Sequence, residues 1–200
     1  MEPKFSPEKS KEDKWERAIL LERERPPHPT MIDSLTEVLD KDSALILGDA
    51  CKVNSKFLIE QAGFQSVDNV DQSPLINDDY YISDKLHNHQ VLFGDFDFPE
   101  NKYDFIYGKS ISFLKPKILE KILIKIKESL KPGGIFTSIW LLPKTTVASH
   151  GIWEKETIEK ALEKTNFSTV SQKEVFNDIG SLSGKEGVTH YMELILRKSH

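Results

Sequence analysis

Short apolar runs and amphipathic segments alternate along most of the chain. Runs typical of buried strands occupy residues 44–47, 66–70, 90–93, 103–107 and 135–142, each beside Gly, Asp or Pro. Helical spacing of apolar residues occurs at 15–25, 31–41, 56–64, 118–130 and 155–165. The pattern therefore predicts strands that alternate with helices.

This alternation predicts how the strands pair. Strands separated by helices form right-handed βαβ units, so their sheet is mostly parallel and covered on both faces. The last two predicted strands, residues 170–176 and 190–197, have no helix between them and should form an antiparallel hairpin. We therefore predict an α/β, Rossmann-like three-layer sandwich with a mostly parallel seven-stranded sheet and an antiparallel C-terminal hairpin.

Length and composition narrow the class of protein further. The 200 residues suffice for one domain, predicted at 15–200, and the Lys-, Glu-, Pro- and Ser-rich residues 1–14 are predicted to form a flexible arm. The net charge of -5 disfavours nucleic-acid binding, and no apolar run is long enough to span a membrane. Cys51 is the sole cysteine, so a reducing, cytoplasmic location is expected. These features leave the oligomeric state open.

In an open parallel sheet, ligands bind beyond the carboxyl ends of the strands, where the strand order reverses. The first predicted strand ends at Gly48, which permits a tight turn into a helix that Asn54 or Ser55 could cap. The second ends at Asp71, whose carboxylate offers two acceptor oxygens for ribose hydroxyls. Either feature could also be an ordinary turn between a strand and a helix.

The segment after the first strand carries a resemblance to a known family. Residues 47–64, LGDACKVNSKFLIEQAGF, resemble the LGCGxGRNSxxLxxxGF segment of tellurite-resistance-type methyltransferases, which are related to thiopurine methyltransferases. The shared positions are Gly48, Asn54, Ser55, Leu58, Gly63 and Phe64. Ile46 stands where the family has an acidic residue, and Ala50 and Lys52 replace two of its glycines. The glycine loop of this chain is therefore degenerate.

Further segments resemble the same family in the same order. Residues 66–74, SVDNVDQSP, are similar to its VxGVDxSP segment, and residues 92–108 are similar to its GDxxxLPFxxxxFDLIxS segment. The resemblance implies that Asp71 binds ribose, and that Gln72, Asp95 and Phe96 lie around adenine. It places Gly108 and Lys109 near the methyl donor. For Phe98 and Phe105 we favour core packing.

Two other features bear on the choice of cofactor. LKPGG at residues 130–134 matches the LxPGG turn of class I methyltransferases, which nicotinamide-dependent Rossmann enzymes do not usually have. Related methyltransferases also carry an N-terminal helix and a proline-rich stretch that close over the cofactor. By this likeness residues 15–40 form a helical lid, with Trp15, Arg17, His28 and Pro29 as candidate lid residues. Alternatively, this helix is solvated and packs at the edge of the sheet.

Together the resemblance implies an S-adenosylmethionine-dependent methyltransferase. Because the sequence shows no large inserted substrate domain, we expect a small-molecule acceptor, with a thiol or a chalcogen compound as a candidate. The implied cofactor-binding residues are Gly48, Asp49, Ala50, Asn54, Asp71, Gln72, Asp95, Phe96 and Gly108. No catalytic residue is assigned and no metal is expected. One alternative is a catalytically inactive binding or regulatory protein with the same fold, and another is a nicotinamide-dependent enzyme.

Some reactive side chains have simpler interpretations. His87 and His89 form an HxH pair, but zinc usually requires three or four ligands, so a solvated loop is expected there. Cys51 could be a nucleophile at a helix N-terminus, but no partner histidine is evident, and a small buried residue is expected. The lysines between residues 115 and 131 are interpreted as the wet face of one helix.

Overall fold

A seven-stranded sheet organises the computed structural model, which describes residues 9–145, 151–177 and 189–199, without the side chains of residues 9–15 and 177. The strands are β1 Ser43–Leu47, β2 Ser66–Val70, β3 Leu86–His89, β4 Tyr103–Gly108, β5 Leu130–Leu141, β6 Ser168–Asn177 and β7 Thr189–Arg197. The helices are α1 Lys9–Glu22, α2 Pro29–Ser34, α3 Val53–Glu60, α4 Pro116–Ser129 and α5 Lys155–Glu163. None of the described helices is long and apolar enough to cross a membrane.

The strand order across the sheet is β3-β2-β1-β4-β5-β7-β6. The first five strands in this order run parallel, whereas β7 is antiparallel to both β5 and β6. The predicted fold class is therefore confirmed. Because the chain order reverses between β1 and β4, the carboxyl ends of these two strands bound the crevice where ligands bind in such sheets.

Helices cover both faces of the sheet, and each face has its own core. On one face, Leu119 and Leu123 of α4 and Ile158 of α5 pack against Phe136 and Trp140 of β5. On the other face, Met31 of α2 and Leu58 of α3 pack with Phe105 of β4. The helix α4 buries Leu119, Ile122, Leu123 and Ile126, whereas Ile118, which belongs to the same predicted helical spacing, is 42% exposed.

The third strand lies four residues earlier than predicted, so the prediction of residues 90–93 was wrong. The observed β3, Leu86–His89, pairs only with β2, with Leu86 beside Val67 and His89 beside Val70. Because β3 is an edge strand, a single buried apolar side chain, Leu86, suffices to hold it. The apolar residues that suggested a strand, Val91 and Leu92, are exposed instead.

Several element boundaries also differ from the predictions. The first helix starts at Lys9 rather than at residue 15, and residues 1–8 of the predicted arm lie outside the described residues. The second helix starts at Pro29, with His28 as its N-cap, and beyond Ser34 it becomes a 3-10 turn instead of continuing to residue 41. The LKPGG segment belongs to β5 instead of forming a separate turn. Gly133 has a positive φ of 79° but Gly134 does not; a Cβ there would lie 2.9 Å from the Lys131 carbonyl.

Candidate functional site

A cavity of about 420 Å³ lies at the crevice between the carboxyl ends of β1 and β4. Two parts of the chain form the walls of this cavity. The loops and strand ends contribute Gly48, Ala50, Asn54, Asp71, Tyr107, Lys109, Ile139, Leu141 and Tyr191. The helix α1 and the segment after it contribute Ala18, Ile19, Glu22, Arg25, Pro26 and His28. The volume is in the range of small-molecule sites, about 300–1,000 Å³.

Gly48 forms the turn at the bottom of this cavity. Its φ is 97°, and a Cβ at this position would lie 2.1 Å from Ser110 Oγ. The Ser110 amide donates a hydrogen bond to the carbonyl of Leu47, which holds the end of β4 against the end of β1. Only glycine fits this turn, because both the backbone angle and the approach of Ser110 exclude a side chain.

Asp49, predicted to bind cofactor, caps the helix α3. Its buried carboxylate accepts hydrogen bonds from the Ser55 amide at 2.8 Å, the Ser55 hydroxyl at 2.8 Å and the Asn54 side-chain amide at 2.9 Å. The predicted capping by Asn54 or Ser55 was therefore wrong, since both residues lie within the first helical turn. A carboxylate also interacts favourably with the positive end of the helix dipole.

Lys52 occupies the third glycine position of the resembled loop and keeps a glycine-like backbone, with a φ of 59°. Its fully buried side chain turns away from the cavity and donates hydrogen bonds to the carbonyls of Asp78 and Tyr81. Its ammonium also pairs with the Asp78 carboxylate at 3.3 Å. Ala50 has a negative φ, so its β-carbon causes no backbone strain. Neither replacement of glycine therefore blocks the cavity.

Asp71 lines the cavity just beyond β2. Its carboxylate accepts a hydrogen bond of 2.8 Å from the Ser73 amide. Burial raises the pKa of Asp71 above its usual value, with the nearby Asp49 adding to the effect and backbone hydrogen bonds from Ser73 and Ala50 opposing it. The neighbouring Gln72 is exposed and is not part of the cavity wall.

Three other predicted cofactor residues lie outside the wall. Asp95 is exposed, whereas Phe96 is buried with its ring edge-to-face against His89 at 5.1 Å and Phe98 at 4.9 Å. A Cβ on Gly108 would meet Ile111 and Phe136, so this glycine faces the core. The structure thus brings together Gly48, Ala50, Asn54 and Asp71, and places Gln72, Asp95, Phe96 and Gly108 elsewhere.

An ion pair closes the cavity on the side of α1. The Lys109 ammonium pairs with Glu22 near the end of α1, and Arg25 lies 3.7 Å from the same carboxylate. Burial disfavours the charged form of Lys109, but Glu22 outweighs it and raises the pKa of Lys109 above its usual value. Of the candidate lid residues, His28 lines the cavity, Arg17 and Pro29 are exposed, and the Trp15 side chain lies outside the described residues.

Tyr107 is a cavity residue that the sequence analysis did not identify. Its side chain is fully buried, and its hydroxyl has no hydrogen-bond partner among the described residues. Burial raises the pKa of Tyr107, so the hydroxyl stays protonated and can donate. A buried hydroxyl without a partner is costly, and a bound ligand would remove this cost. Its position near the end of β4 was the only sequence signal available.

The structure also shows the surroundings of Cys51, His87 and His89, for which no catalytic or metal-binding role was expected. The Cys51 thiol is buried and lies 3.3 Å from Asp49 Oδ1, and burial together with Asp49 raises its pKa, which disfavours the thiolate. His87 and His89 lie in β3, so the predicted solvated loop was wrong; His87 is exposed, and His89 contacts the Asp68 carboxylate at 2.8 Å. Among the described residues, no group of three His, Cys, Asp or Glu side chains is placed to hold a metal ion.

No protein-family model matches the sequence, and no curated protein is significantly similar to it. Solved structures do share its fold. An S-adenosylmethionine-dependent methyltransferase from Methanosarcina mazei aligns with a TM-score of 0.64 and 14% identity over 88% of this chain and 99% of that chain. Phosphoethanolamine N-methyltransferase 2 of Haemonchus contortus, in complex with S-adenosyl-L-methionine, aligns with a TM-score of 0.64 and 14% identity over 86% and 52%.

Another solved structure with this fold is described as a different kind of enzyme. The [4+2]-cyclase SpnF aligns with a TM-score of 0.65 and 15% identity over 85% of this chain and 79% of that chain. At these identities the likeness establishes the methyltransferase fold alone, and any activity must be argued from the site.

Proposed function

We propose that this chain is an S-adenosylmethionine-dependent methyltransferase that acts on a small-molecule acceptor, a thiol or a chalcogen compound. The observation that carries the proposal is a cavity of about 420 Å³ at the strand-order reversal of a methyltransferase fold, with Gly48 at its base and Asp71 in its wall. S-adenosylmethionine supplies an activated methyl group on a sulfonium, so the protein has mainly to bind, orient and exclude water.

The residues present fit this cofactor. The absence of a side chain at Gly48 leaves room at the turn, and the Asp71 carboxylate has acceptor oxygens for the ribose hydroxyls. Asn54 and Ala50 line the same end of the cavity. The unpartnered hydroxyl of Tyr107 offers one more donor to a bound molecule. We infer no contact for Asp95 or Gln72, because neither lines the wall.

The alternative function, an inactive protein that keeps only the fold, rests on the replaced glycines. Lys52 is the more serious replacement, yet its ammonium contacts Asp78 and Tyr81 rather than the cavity. Ala50 adds one methyl group to the wall without a positive φ. These two observations support cofactor binding over loss of function.

We further propose that residues 15–40 act as a lid over the bound cofactor. Ala18, Ile19 and Glu22 of α1 line the cavity. Two ion pairs hold the end of this helix in place, one from Glu22 to Lys109 and one from Arg23, the residue just after the helix, to Asp78. A wall made by a helix outside the sheet can open to admit ligands and close to exclude water.

Calorimetric titration with S-adenosylmethionine and its demethylated product tests the cofactor. We expect a dissociation constant on the order of micromolar for the parent chain and a loss of at least about tenfold for Asp71→Asn, because a charge-assisted hydrogen bond contributes about 1.5–3 kcal/mol. Asp84→Asn is the matched control, since Asp84 is an exposed carboxylate away from the cavity. Failure of the parent to bind either compound would contradict the proposed function.

A further inference from the structure

The side chain of His28 is held in one tautomer by the residue that begins the following helix. His28 is the N-cap of α2, and its ring Nδ1 lies 3.3 Å from the Thr30 amide and 3.0 Å from Thr30 Oγ1. A backbone amide can only donate a hydrogen bond, so Nδ1 must be the acceptor. The proton of the neutral ring therefore lies on Nε2, which becomes a hydrogen-bond donor.

The surroundings of His28 keep this ring neutral. Burial lowers the pKa of His28, and Glu193 of β7 raises it. Lys109, after β4, lowers that pKa and Glu22 of α1 raises it, and the net pKa lies below the usual value of 6.5. At pH 7 the ring is thus an uncharged donor with a single N–H. Nε2 has no hydrogen-bond partner among the described residues, so this N–H can donate to a molecule in the cavity.

His28 lies at the end of the cavity opposite the turn at Gly48. Its ring packs edge-on against Tyr191 of β7, with 5.7 Å between ring centroids, and Tyr191 pairs with Leu141 of β5. The turn at Gly48 follows β1, and the strand order β1-β4-β5-β7 separates β1 from β7 by three steps, roughly 14 Å at the usual strand spacing. A cofactor bound at Gly48 and Asp71 would therefore leave the end beside His28 to a second molecule.

The wall around His28 is suited to an apolar molecule that carries a hydrogen-bond acceptor. Ile139 and Leu141 of β5, Tyr191 of β7 and Ile19 of α1 line the cavity, and apolar side chains favour an apolar body. A carbonyl oxygen brings only acceptor lone pairs to the Nε2–H, whereas a hydroxyl brings a proton that needs a further partner. Because a buried polar group without a partner is costly, a carbonyl group fits this wall better than a hydroxyl.

The charged groups near His28 disfavour a charged ligand. Lys109 pairs with Glu22, and Arg25 lies 3.7 Å from the same carboxylate. Glu193 places a negative charge near the His28 ring, and that charge would repel a bound anion. Burying an unpaired charge is also costly, so this end of the cavity favours an uncharged molecule.

We propose that the end of the cavity beside His28, Leu141 and Tyr191 binds the carbonyl group of an uncharged, apolar methyl acceptor, and that His28 Nε2–H donates a hydrogen bond to the carbonyl oxygen. The inference rests on the proposed methyl transfer. The carbonyl group serves for recognition, so the atom that receives the methyl group lies elsewhere on the same molecule, toward the cofactor. His28 thereby determines which acceptors bind and removes no proton from them.

The tautomer of His28 can be measured without any ligand. In a sample with isotopically labelled nitrogen, NMR at pH 7 should show a protonated Nε2 and an unprotonated Nδ1. Acetophenone added to the chain loaded with the demethylated product of S-adenosylmethionine should then shift the Nε2 signal, because its carbonyl oxygen accepts the N–H. A protonated Nδ1, a charged ring, or an Nε2 signal unmoved by bound acetophenone would overturn the proposal.

A binding experiment tests the carbonyl group with acetophenone and α-methylstyrene, two probes of the same shape that differ in a carbonyl oxygen against a methylene group. Both are titrated into the loaded parent chain and His28→Asn. Asparagine is a good N-cap and can keep the hydrogen bond from the Thr30 amide, but none of its N–H groups reaches the position of Nε2. We expect acetophenone to bind about fivefold more weakly to this variant and α-methylstyrene to bind equally well. His87→Asn, at an exposed histidine, should match the parent with both probes.

Benzoate is the charged probe of similar size and should bind the parent more weakly than acetophenone. Tighter binding of benzoate would overturn the preference for an uncharged molecule. Equal losses for acetophenone and α-methylstyrene in His28→Asn, or no loss for either, would overturn the role of His28. If the chain binds cofactor but none of the three probes, the carbonyl inference fails while cofactor binding stands. If calorimetry shows that it binds no cofactor, the proposed function itself fails.

Discussion

The Lys52 ammonium lies 3.3 Å from the Asp78 carboxylate, across a separation of 26 residues. Asp78 also pairs with Arg23, so the loop after β1, the segment after β2 and the end of α1 meet at one carboxylate. Partial burial alone would raise the pKa of Asp78, but hydrogen bonds from Arg23, the Tyr80 amide and Lys52 outweigh it and lower that pKa. Lys52, which replaces a glycine of the family's loop, therefore helps to hold the cavity wall in position.

Lys52→Met should destabilise the protein, because it leaves the Asp78 and Tyr81 carbonyls without their donor. We expect the free energy of unfolding to fall by about 1–3 kcal/mol, measured by urea denaturation. Lys56→Met is the matched control, since Lys56 lies one helical turn further along α3 with its side chain exposed. Equal effects of the two substitutions would show that the buried contacts of Lys52 contribute little.

Three glycine-to-alanine substitutions separate backbone strain from steric overlap. Gly94→Ala should be nearly neutral, because its φ is not positive and nothing lies within 4 Å of the added Cβ. Gly63→Ala adds only strain at φ 88°, a cost of about 1 kcal/mol. Gly48→Ala adds overlap with Ser110 as well, so we expect a loss above about 2 kcal/mol by thermal or urea unfolding. If Gly48→Ala cost no more than Gly63→Ala, the close approach of Ser110 would be unimportant.

Asp68 should make the protein sensitive to acid. Burial alone would raise the pKa of its carboxyl, but hydrogen bonds from Lys102, His89 and Tyr103 outweigh it and hold that pKa below the usual value of 3.8. The carboxylate therefore contributes stability above pH 3.8 that is lost as the pH falls through the native-state pKa. Asp68→Asn should lower the free energy of unfolding at pH 7 by about 1–3 kcal/mol.

The same variant should also show a smaller loss of stability on acidification, which urea titrations at several pH values would measure. Asp84→Asn, at an exposed carboxylate, should follow the parent curve throughout. A curve for Asp68→Asn that runs parallel to that of the parent would contradict the lowered pKa.

Asp71 should contribute a pH dependence of stability opposite to that of Asp68, because burial raises the pKa of Asp71 in the native state. At pH values between the unfolded and native pKa of Asp71, the folded chain binds more protons than the unfolded chain. The free energy of unfolding therefore falls as the pH rises through this window. Removing the charge with Asp71→Asn should therefore leave stability at pH 7 equal to or above that of the parent, while cofactor affinity is lost. Unfolding experiments alongside the calorimetry would check this, and a large loss of stability would indicate a structural role for the carboxylate.

The sequence predicted the fold and the candidate site to different extents. The periodicities identified the helix α4, the buried strands and the hairpin, because these depend on spacing within a segment. The edge strand β3 was misplaced, because a strand with one neighbour needs only Leu86 to be buried and leaves a weak pattern.

The sequence by itself determined the order of the strands along the chain, the turn at Gly48 and the position of Asp71 after a strand, since each depends on local backbone chemistry. Only the tertiary structure decided that Asp49 caps a helix, that Lys52 turns toward Asp78, and that His28 and Tyr107 share one cavity. These relationships join residues from different elements. The physical reason is that the packing of α1 and α2 on the sheet, rather than any local pattern, determines which side chains meet.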